Sequence, residues 1–301
     1  MIHIFQKFTL SIENDEILSQ INSDTIGIDL GQTLTKIIYY DEKQLILLLH
    51  PTGRLYDFLI QFLQHNNFSK KKINLTGGKG YDFYKMIESK YNASIFGEFG
   101  ANVSGIEFLY QFKKKKALPP CLIVTIGTGT SMILRKEKYE HIGGTALGGG
   151  FFMALTQLLY HTDSFNDSIK LASRGNRYNV DLKVSDIYSP NDDRVNSLFR
   201  QFTAASLGKI NSIIKFEDYQ KADLLNSLIC MIGENVGTIA IEKAKFYKIE
   251  NIVFCGGFLL NNKTIQKLLS LLCTYNKIKP IFLQHSIFSG ALGMLLNDLH
   301  K

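Results

Sequence analysis

Residues 25–36 read Thr-Ile-Gly-Ile-Asp-Leu-Gly-Gln-Thr-Leu-Thr-Lys, and the fold turns on how this stretch is read. A short apolar strand (Ile26, Ile28, Leu30) enters Gly31 and a polar turn, then Lys36 and a second apolar run, Ile37 to Tyr40. Two such runs with small residues at the bend make a hairpin. Gly27 and Gly31 let a backbone approach a ligand closely, because no Cβ stands between. Asp29 lies on the strand between them, Thr33 and Thr35 offer hydroxyls, and Lys36 adds a cation. A nucleotide phosphate with its Mg²⁺ needs groups of this kind. On these residues alone, an ordinary hairpin with solvated polar groups fits equally well. An acid inside an apolar strand, however, must find a cation or donors to offset its burial.

Outward from the hairpin, Leu55, Phe58, Leu59, Phe62 and Leu63 recur at helical spacing. Ile73 to Leu75 then reads as a strand entering Thr76-Gly77-Gly78-Lys79-Gly80. Ala93 to Phe96 is another strand, followed by Gly97-Glu98-Phe99-Gly100 and a helix through Val103, Ile106, Phe108 and Leu109. Pro119-Pro120 after a lysine run marks a boundary, since proline restricts its own and its predecessor's backbone. The expected domains are 1–118, with residues 1–24 an extension of unreadable role, and 119–301.

The second half restarts as the first did. The strand Leu122 to Ile126 enters Gly127-Thr128-Gly129-Thr130-Ser131, and Met132 to Leu134 returns. A small-residue hairpin heading each half is a repeat of architecture. His141 to Gly150 reads as a glycine-rich turn opening a helix, Phe152 to Leu159, and Ser164 with Asp167 predicts a capped helix start. From Ala222 to Tyr247 the periodic residues, Leu224 through Ala240, predict a helix of about seven turns, whose Gly233 and Gly237 let a neighbour pack close. The strand Asn251 to Cys255 ends in Gly256-Gly257, a helix covers Thr264 to Leu272, and Ser289 to Gly293 opens the last helix.

Four glycine-rich turns thus follow strands: Gly31, Gly127–Gly129, Gly143–Gly150 and Gly256–Gly257. Backbone N–H groups at such turns bind phosphate, and four of them predict a nucleotide cleft between two similar domains. Neither GxxxxGK[ST] nor a dinucleotide fingerprint is present. Glu98, between glycines after a strand, is the candidate to take a proton from a phosphoryl acceptor; a solvent-exposed turn acid is its alternative.

Composition sets the frame. The 301 residues, 45% hydrophobic, are enough for a large core and two domains. Uninterrupted apolar runs such as Ile252 to Leu260 fall short of the ~20 residues of a membrane span. The first 24 residues carry acids and lack the apolar core of a secretory signal, so the expectation is a cytoplasmic protein with no membrane role. Four scattered cysteines read as buried thiols, and no histidine pair has metal-ligand spacing. The net charge of +7 gathers at Lys70–Lys72 and Lys113–Lys116. Without interleaved aromatic residues these read as solvated loops rather than a nucleic-acid surface.

Several motifs in order resemble the type II pantothenate kinases, of the actin-like (ribonuclease H-like) α/β fold with duplicated domains. They are GIDLGQTLTK at 27–36, LTGG at 75–78, GEFGANVSG at 97–105, TIGTGTS at 125–131, HIGGTALGGG at 141–150, DIY at 186–188, TAASLG at 203–208 and FSGALG at 288–293. The resemblance implies ATP-dependent phosphorylation of the primary hydroxyl of pantothenate by a homodimer, with acyl-CoA a candidate feedback inhibitor. By matching position it implies that Asp29, Gly31, Thr33 and Lys36 hold phosphates and Mg²⁺, with Asp29 the metal ligand. Glu98 becomes the general base. Thr128 and Ser131 contact the transferring phosphate and pantothenate, and Gly127, Gly129 and Gly148–Gly150 lie against the nucleotide. Two departures stand out: Gln32 replaces a second glycine, and His141 replaces the family's substrate arginine. Arginine supplies a permanent charge and a bidentate fork that histidine does not. Arg174, Arg177 or Lys79 then substitutes, or pantothenate binds weakly, or the substrate is a sugar or a pantetheine-like molecule. A nucleotide- or acyl-CoA-binding protein without activity is the remaining reading.

Overall fold

The computed structural model describes residues 6–53, 56–66, 68–197, 199–210 and 220–297. The first half runs β1 (Gln6–Ser11), α1 (Asp15–Leu18), β2 (Thr25–Leu30), β3 (Leu34–Asp41), β4 (Gln44–Pro51), α2 (Asp57–His65), β5 (Lys72–Thr76), α3 (Gly80–Ile87), β6 (Ala93–Ile95) and α4 (Glu98–Lys114). The second begins β7 (Cys121–Ile126), β8 (Thr130–Arg135), β9 (Tyr139–Thr145), α5 (Gly149–Tyr160) and α6 (Phe165–Ala172). A small excursion follows, with β10 (Leu182–Lys183), α7 (Val184–Ile187) and β11 (Thr203–Ala205). It closes with α8 (Lys221–Phe246), β12 (Asn251–Cys255), α9 (Lys263–Tyr275), β13 (Lys279–Phe282) and α10 (Ser289–Gly293).

Two sheets carry the duplication. The first has the order β1-β4-β3-β2-β5-β6 and the second β13-β12-β7-β8-β9. In each, a three-strand antiparallel meander (β2–β3–β4 and β7–β8–β9) is extended by two parallel strands on the far side of its first strand. The extension before residue 25 contributes β1, which joins the first sheet antiparallel to β4.

Strand side chains alternate between faces, and here both faces of both sheets are covered. On β7, Leu122, Val124 and Ile126 pack outward with α8 residues Leu225, Leu228 and Ile232. Cys121 and Ile123 point inward instead, to α4 residues Val103, Ile106 and Leu109 and to Ala291 and Leu292 of α10. The same inner layer takes Ile38, Leu45, Leu47 and Leu49 of the first sheet. Its outer face, Ile26, Ile28, Ile73 and Leu75, is covered by α2 and α3. Helices α4 and α10 are therefore the filling between two sheets.

Close contact in that filling requires small residues. A Cβ on Gly27 would stand 2.0 Å from the Ala291 carbonyl oxygen, one on Gly105 2.0 Å from that of Ser289, and one on Gly293 2.0 Å from that of Ala101. Asn22 donates its backbone N–H to Leu295 at 2.9 Å, and Ile21 bridges Leu296. The passage between sheets falls at the connection holding Pro119-Pro120, but the chain's end returns to pack on β2 and α4.

The helix stripe at 58–63 lies on α2, while Leu55 falls outside the described residues. Ser164 accepts a hydrogen bond from the Asp167 N–H at 3.3 Å, as its capping pattern predicts. Gly233 and Gly237 of α8 face Ile265, Leu268, Leu269 and Leu272 of α9, which is the close packing their spacing anticipates. By length and composition α8 could cross a membrane, but 72% of its most apolar window is buried in the protein. The four cysteines are free and buried, and burial pushes the thiols of Cys121 and Cys273 up to about 12. Among the described residues no cluster of three or more His, Cys, Asp or Glu could hold a metal ion.

Candidate active site

The antiparallel register of β2 and β3 sets Asp29 opposite Lys36. Their side chains form an ion pair of 3.0 Å, the carboxylate 9% exposed and the ammonium 14%. Two glycines wall the carboxylate in. A Cβ on Gly77, after β5, would stand 2.6 Å from Oδ1, and one on Gly290, in α10, 2.9 Å from Oδ2. Asp29 thus resolves the conflict of a buried acid in an apolar strand by pairing with the cation seven residues on.

Glu98 is the first residue of α4, not a loop residue. The residue is exposed, yet the protein packed around its carboxyl takes away part of its hydration. That burial is the main reason its pKa is raised; the nearby charge of Asp29 raises it further and Lys36 opposes. The three residues therefore share one electrostatic neighbourhood: two carboxylates and one ammonium at the carboxyl ends of parallel strands, where open α/β sheets place ligands.

The four glycine turns converge here. The turn at Gly31 is braced by Thr52, whose hydroxyl donates to the Gly31 carbonyl at 2.8 Å and whose N–H donates to Thr33 at 2.9 Å. Thr33 and Thr128, at the tips of the two hairpins, share a hydroxyl hydrogen bond of 3.0 Å. Gly149 and Gly150 donate their N–H groups to the carbonyls of Gly127 and Thr128 at 2.7 and 2.9 Å. A Cβ on Gly148 would stand 2.9 Å or less from three carbonyl oxygens of Gly127, Thr128 and Gly129. Gly256, with φ of 104°, lies against Ile126, and Gly257 lies against Leu34 of the first hairpin. The N–H groups at the start of α5 thus brace the second hairpin instead of pointing outward.

The reading of 141–150 as one glycine turn needs correction. Residues up to Thr145 are β9, paired with β8, because the small residues are spaced to ladder and only 146–148 turn. Ser131 sits on β8 opposite Thr125 and the bare Gly144, partly open to the site. His141, on β9, is stacked on Phe99 with ring centroids 4.1 Å apart and planes 7° from parallel. Of the three cations considered as replacements for an arginine at 141, Arg177 is spoken for elsewhere. It is buried, paired with Asp181 and forked onto Glu234 at 2.7 and 3.0 Å. Lys79 donates its backbone N–H to Leu30 at 3.0 Å and its ammonium to Gly53 at 3.3 Å, beside the first hairpin. Sequence reasoning missed Thr52, Gly290 and Phe99, whose roles come from contacts between distant segments. The glycine after β5 was visible in LTGG, but not its place against Asp29.

The Fumble family profile matches residues 44–297. A type II pantothenate kinase of Bacillus cereus (strain G9842) is 34% identical over 278 residues, spanning 91% of this chain and 98% of the relative. The chain belongs to the type II pantothenate kinase family. A member from Staphylococcus saprophyticus is 29% identical over 273 residues, 90% of this chain and 98% of its own. Among solved structures, the activator of the 2-hydroxyisocaproyl-CoA dehydratase from Clostridium difficile with bound ADPNP matches with a TM-score of 0.60 at 16% identity, over 90% of this chain and 92% of that one. A ROK family glucokinase from Streptomyces griseus, in complex with glucose and AMPPNP, matches with a TM-score of 0.51 at 11% identity, over 90% and 97%. These two likenesses show the fold: the chain has the actin-like architecture of duplicated α/β sheets.

Proposed function

We propose that this protein transfers the γ-phosphoryl group of ATP to the primary hydroxyl of pantothenate, the first step towards coenzyme A. The observation that carries the reading is the convergence of the Asp29–Lys36 pair, Glu98 and both hairpin turns on one recess, in a chain of this family. ATP lies with its phosphates between the two hairpins, along Gly31–Thr33 and Gly127–Gly129, and Gly148–Gly150 lie against the nucleotide. Lys36 neutralises phosphate charge, while Thr128 and Ser131 contact the transferring group and the acceptor. A carboxylate beside a phosphate site fits Mg²⁺, which is held by one or two carboxylates plus substrate phosphates; Asp29 is the residue to hold it. Bound there, Mg²⁺ would supply charge neutralisation on the phosphates.

Glu98 orients the acceptor hydroxyl and receives its proton late in the transfer, because a free alcohol is too weak an acid to be deprotonated beforehand. Its raised pKa suits a base that must hold the proton once transfer has occurred. Closure of the two halves excludes water as a competing acceptor. We further propose a cytoplasmic homodimer of two-domain protomers, with acyl-CoA as feedback inhibitor.

The test is ADP release with ATP, Mg²⁺ and pantothenate, beside Glu98→Gln. Turnover that falls on the order of 10²- to 10⁴-fold in the variant, with ATP affinity retained in calorimetry, supports the reading. His141 in place of an arginine keeps a second acceptor class in view. Turnover with sugars or pantetheine but not pantothenate would move the assignment there, and nucleotide binding without turnover would leave a binding protein.

A further inference from the structure

The halves meet beside the recess at the His141–Phe99 stack. Phe99 is the second residue of α4, adjacent to Glu98. The first turn of α4 is therefore held from two directions: α10 presses Gly293 against Ala101, and the His141 ring covers Phe99 from β9. The aim of that ring is built in. Between the pairs Ser131–Gly144 and Ile133–His141, β9 carries one residue more than β8. The extra residue makes a bulge, with Gly143 at φ of 111°. Bulges beside active sites re-aim a side chain. This one is secured from behind by α8, whose Lys243 ammonium donates to the Ile142 carbonyl at 2.8 Å.

We infer that His141 is a positioning residue: its flat ring, aimed by the β9 bulge and Lys243, fixes Phe99 and so the start of α4 that carries Glu98. The inference rests on the reading of Glu98 as the base. The stack uses the flat face of the ring, which accounts for an aromatic side chain serving at this position. A shift of about 1 Å at a reacting group costs on the order of 10²-fold in rate, so a loosened first turn is expected to be felt in kcat.

Three variants test this in the full chain: His141→Ala, His141→Phe and Lys243→Met. The expected result is a fall in kcat of roughly 10- to 100-fold for His141→Ala, with little change in the KM of the acceptor. His141→Phe recovers most of the loss, and Lys243→Met moves kcat in the same direction as the alanine but less. A rise in acceptor KM with kcat held, or a phenylalanine variant as impaired as the alanine, would overturn the inference and make the imidazole a direct substrate contact. A second readout needs no turnover. Titration of the Glu98 carboxyl by ¹³C NMR, with its charged neighbours Asp29 and Lys36 unchanged, is expected to move towards the ordinary glutamate range in His141→Ala and stay near wild type in His141→Phe. An unchanged titration in the alanine variant overturns the positioning role. If the wild type turns over no pantothenate, the functional reading fails alone and this titration still decides the inference.

Discussion

Gly77 and Gly256 occupy the same place in the two halves. Each follows the parallel strand next to the first strand of its meander, each has positive φ (92° and 104°), and a Cβ on either would strike the carbonyl oxygen ending that first strand, at 2.5 Å from Leu30 and 2.4 Å from Ile126. The backbone is duplicated, but its chemistry is not. Where the first meander pairs Asp29 with Lys36, the second pairs Thr125 with Ser131. The two meanders share a small-residue hairpin turn, but only the first of them carries an ion pair at this register position. The first half sets the electrostatics, and the second offers hydroxyls and backbone.

The strongest way to break this asymmetry is to make the first half like the second. Asp29→Thr leaves the Lys36 ammonium in a nearly closed recess without its partner, and unpairing a buried charge costs about 3–5 kcal/mol. Kinase turnover is expected to fall on the order of 10²-fold or more, since the charge beside the phosphates is lost. The double variant Asp29→Thr/Lys36→Ser copies residues 125 and 131. Most of the thermal stability is expected to return in calorimetry, and none of the activity. A double variant that turns over ATP would show that the ion pair is structural only.

The matched glycines sharpen the comparison. Gly77→Ala and Gly256→Ala each force an L-residue into a positive-φ site, at roughly 1–3 kcal/mol of stability, readable as similar losses in denaturant midpoint. Only the first also drives a methyl against the Asp29 carboxylate, at 2.6 Å from Oδ1. Gly77→Ala is therefore expected to lower kcat at a temperature where both variants are folded, while Gly256→Ala lowers it much less.

How much of this was legible in the sequence follows from the range of the interactions. The hairpins at 25–40 and 122–134, the strands 73–75 and 251–255 and the long helix α8 are local patterns, and each stands where the periodicity placed it. Missed elements had ambiguous local signals. Leu45–Leu49 is an unbroken apolar run, which alternation does not identify as a strand although β4 is buried on both faces. Helix α3 begins at the last glycine of a turn, and β9 contains two glycines, so both read as loop. The site divides in the same way. Asp29 facing Lys36 follows from hairpin register alone. Arg177 locked to Asp181 and Glu234, Phe99 under His141, and the chain end packed between the sheets depend on segments 42 or more residues apart in all but the Asp181 contact, and no short pattern encodes them.

Because the charges sit in one half, Glu98 senses them unequally. Its pKa is raised, so with Glu98 as the proposed base the acid limb of kcat/KM is expected above 4.5. Asp29 raises and Lys36 lowers that pKa, so Lys36→Met is expected to move the limb to higher pH, visible in a pH–rate profile. The stability sign is the reverse of a paired carboxylate's. A folded-state pKa above the unfolded one favours folding below the unfolded value, and this contribution is lost as pH rises through the folded value. Glu98→Gln is accordingly expected to raise stability at neutral pH and to change it little in acid.

The smallest effect concerns a hydrogen bond between the hairpin tips. Thr33 and Thr128 hydrogen-bond at 3.0 Å across the site, and a neutral bond of this kind contributes about 0.5–1.5 kcal/mol net. Phosphates lying between the hairpins must part these hydroxyls and take their hydrogen bonds instead. The contact then belongs to the nucleotide-free state, so Thr33→Ala, Thr128→Ala and the double variant should show coupling in thermal melts without nucleotide. With saturating AMPPNP the coupling is expected to vanish, since each threonine would bond phosphate independently. Coupling that persists unchanged would mean that the tips stay joined and that the phosphates run to one side of them. The charged half would then bind the nucleotide largely alone, and the duplication would serve the acceptor.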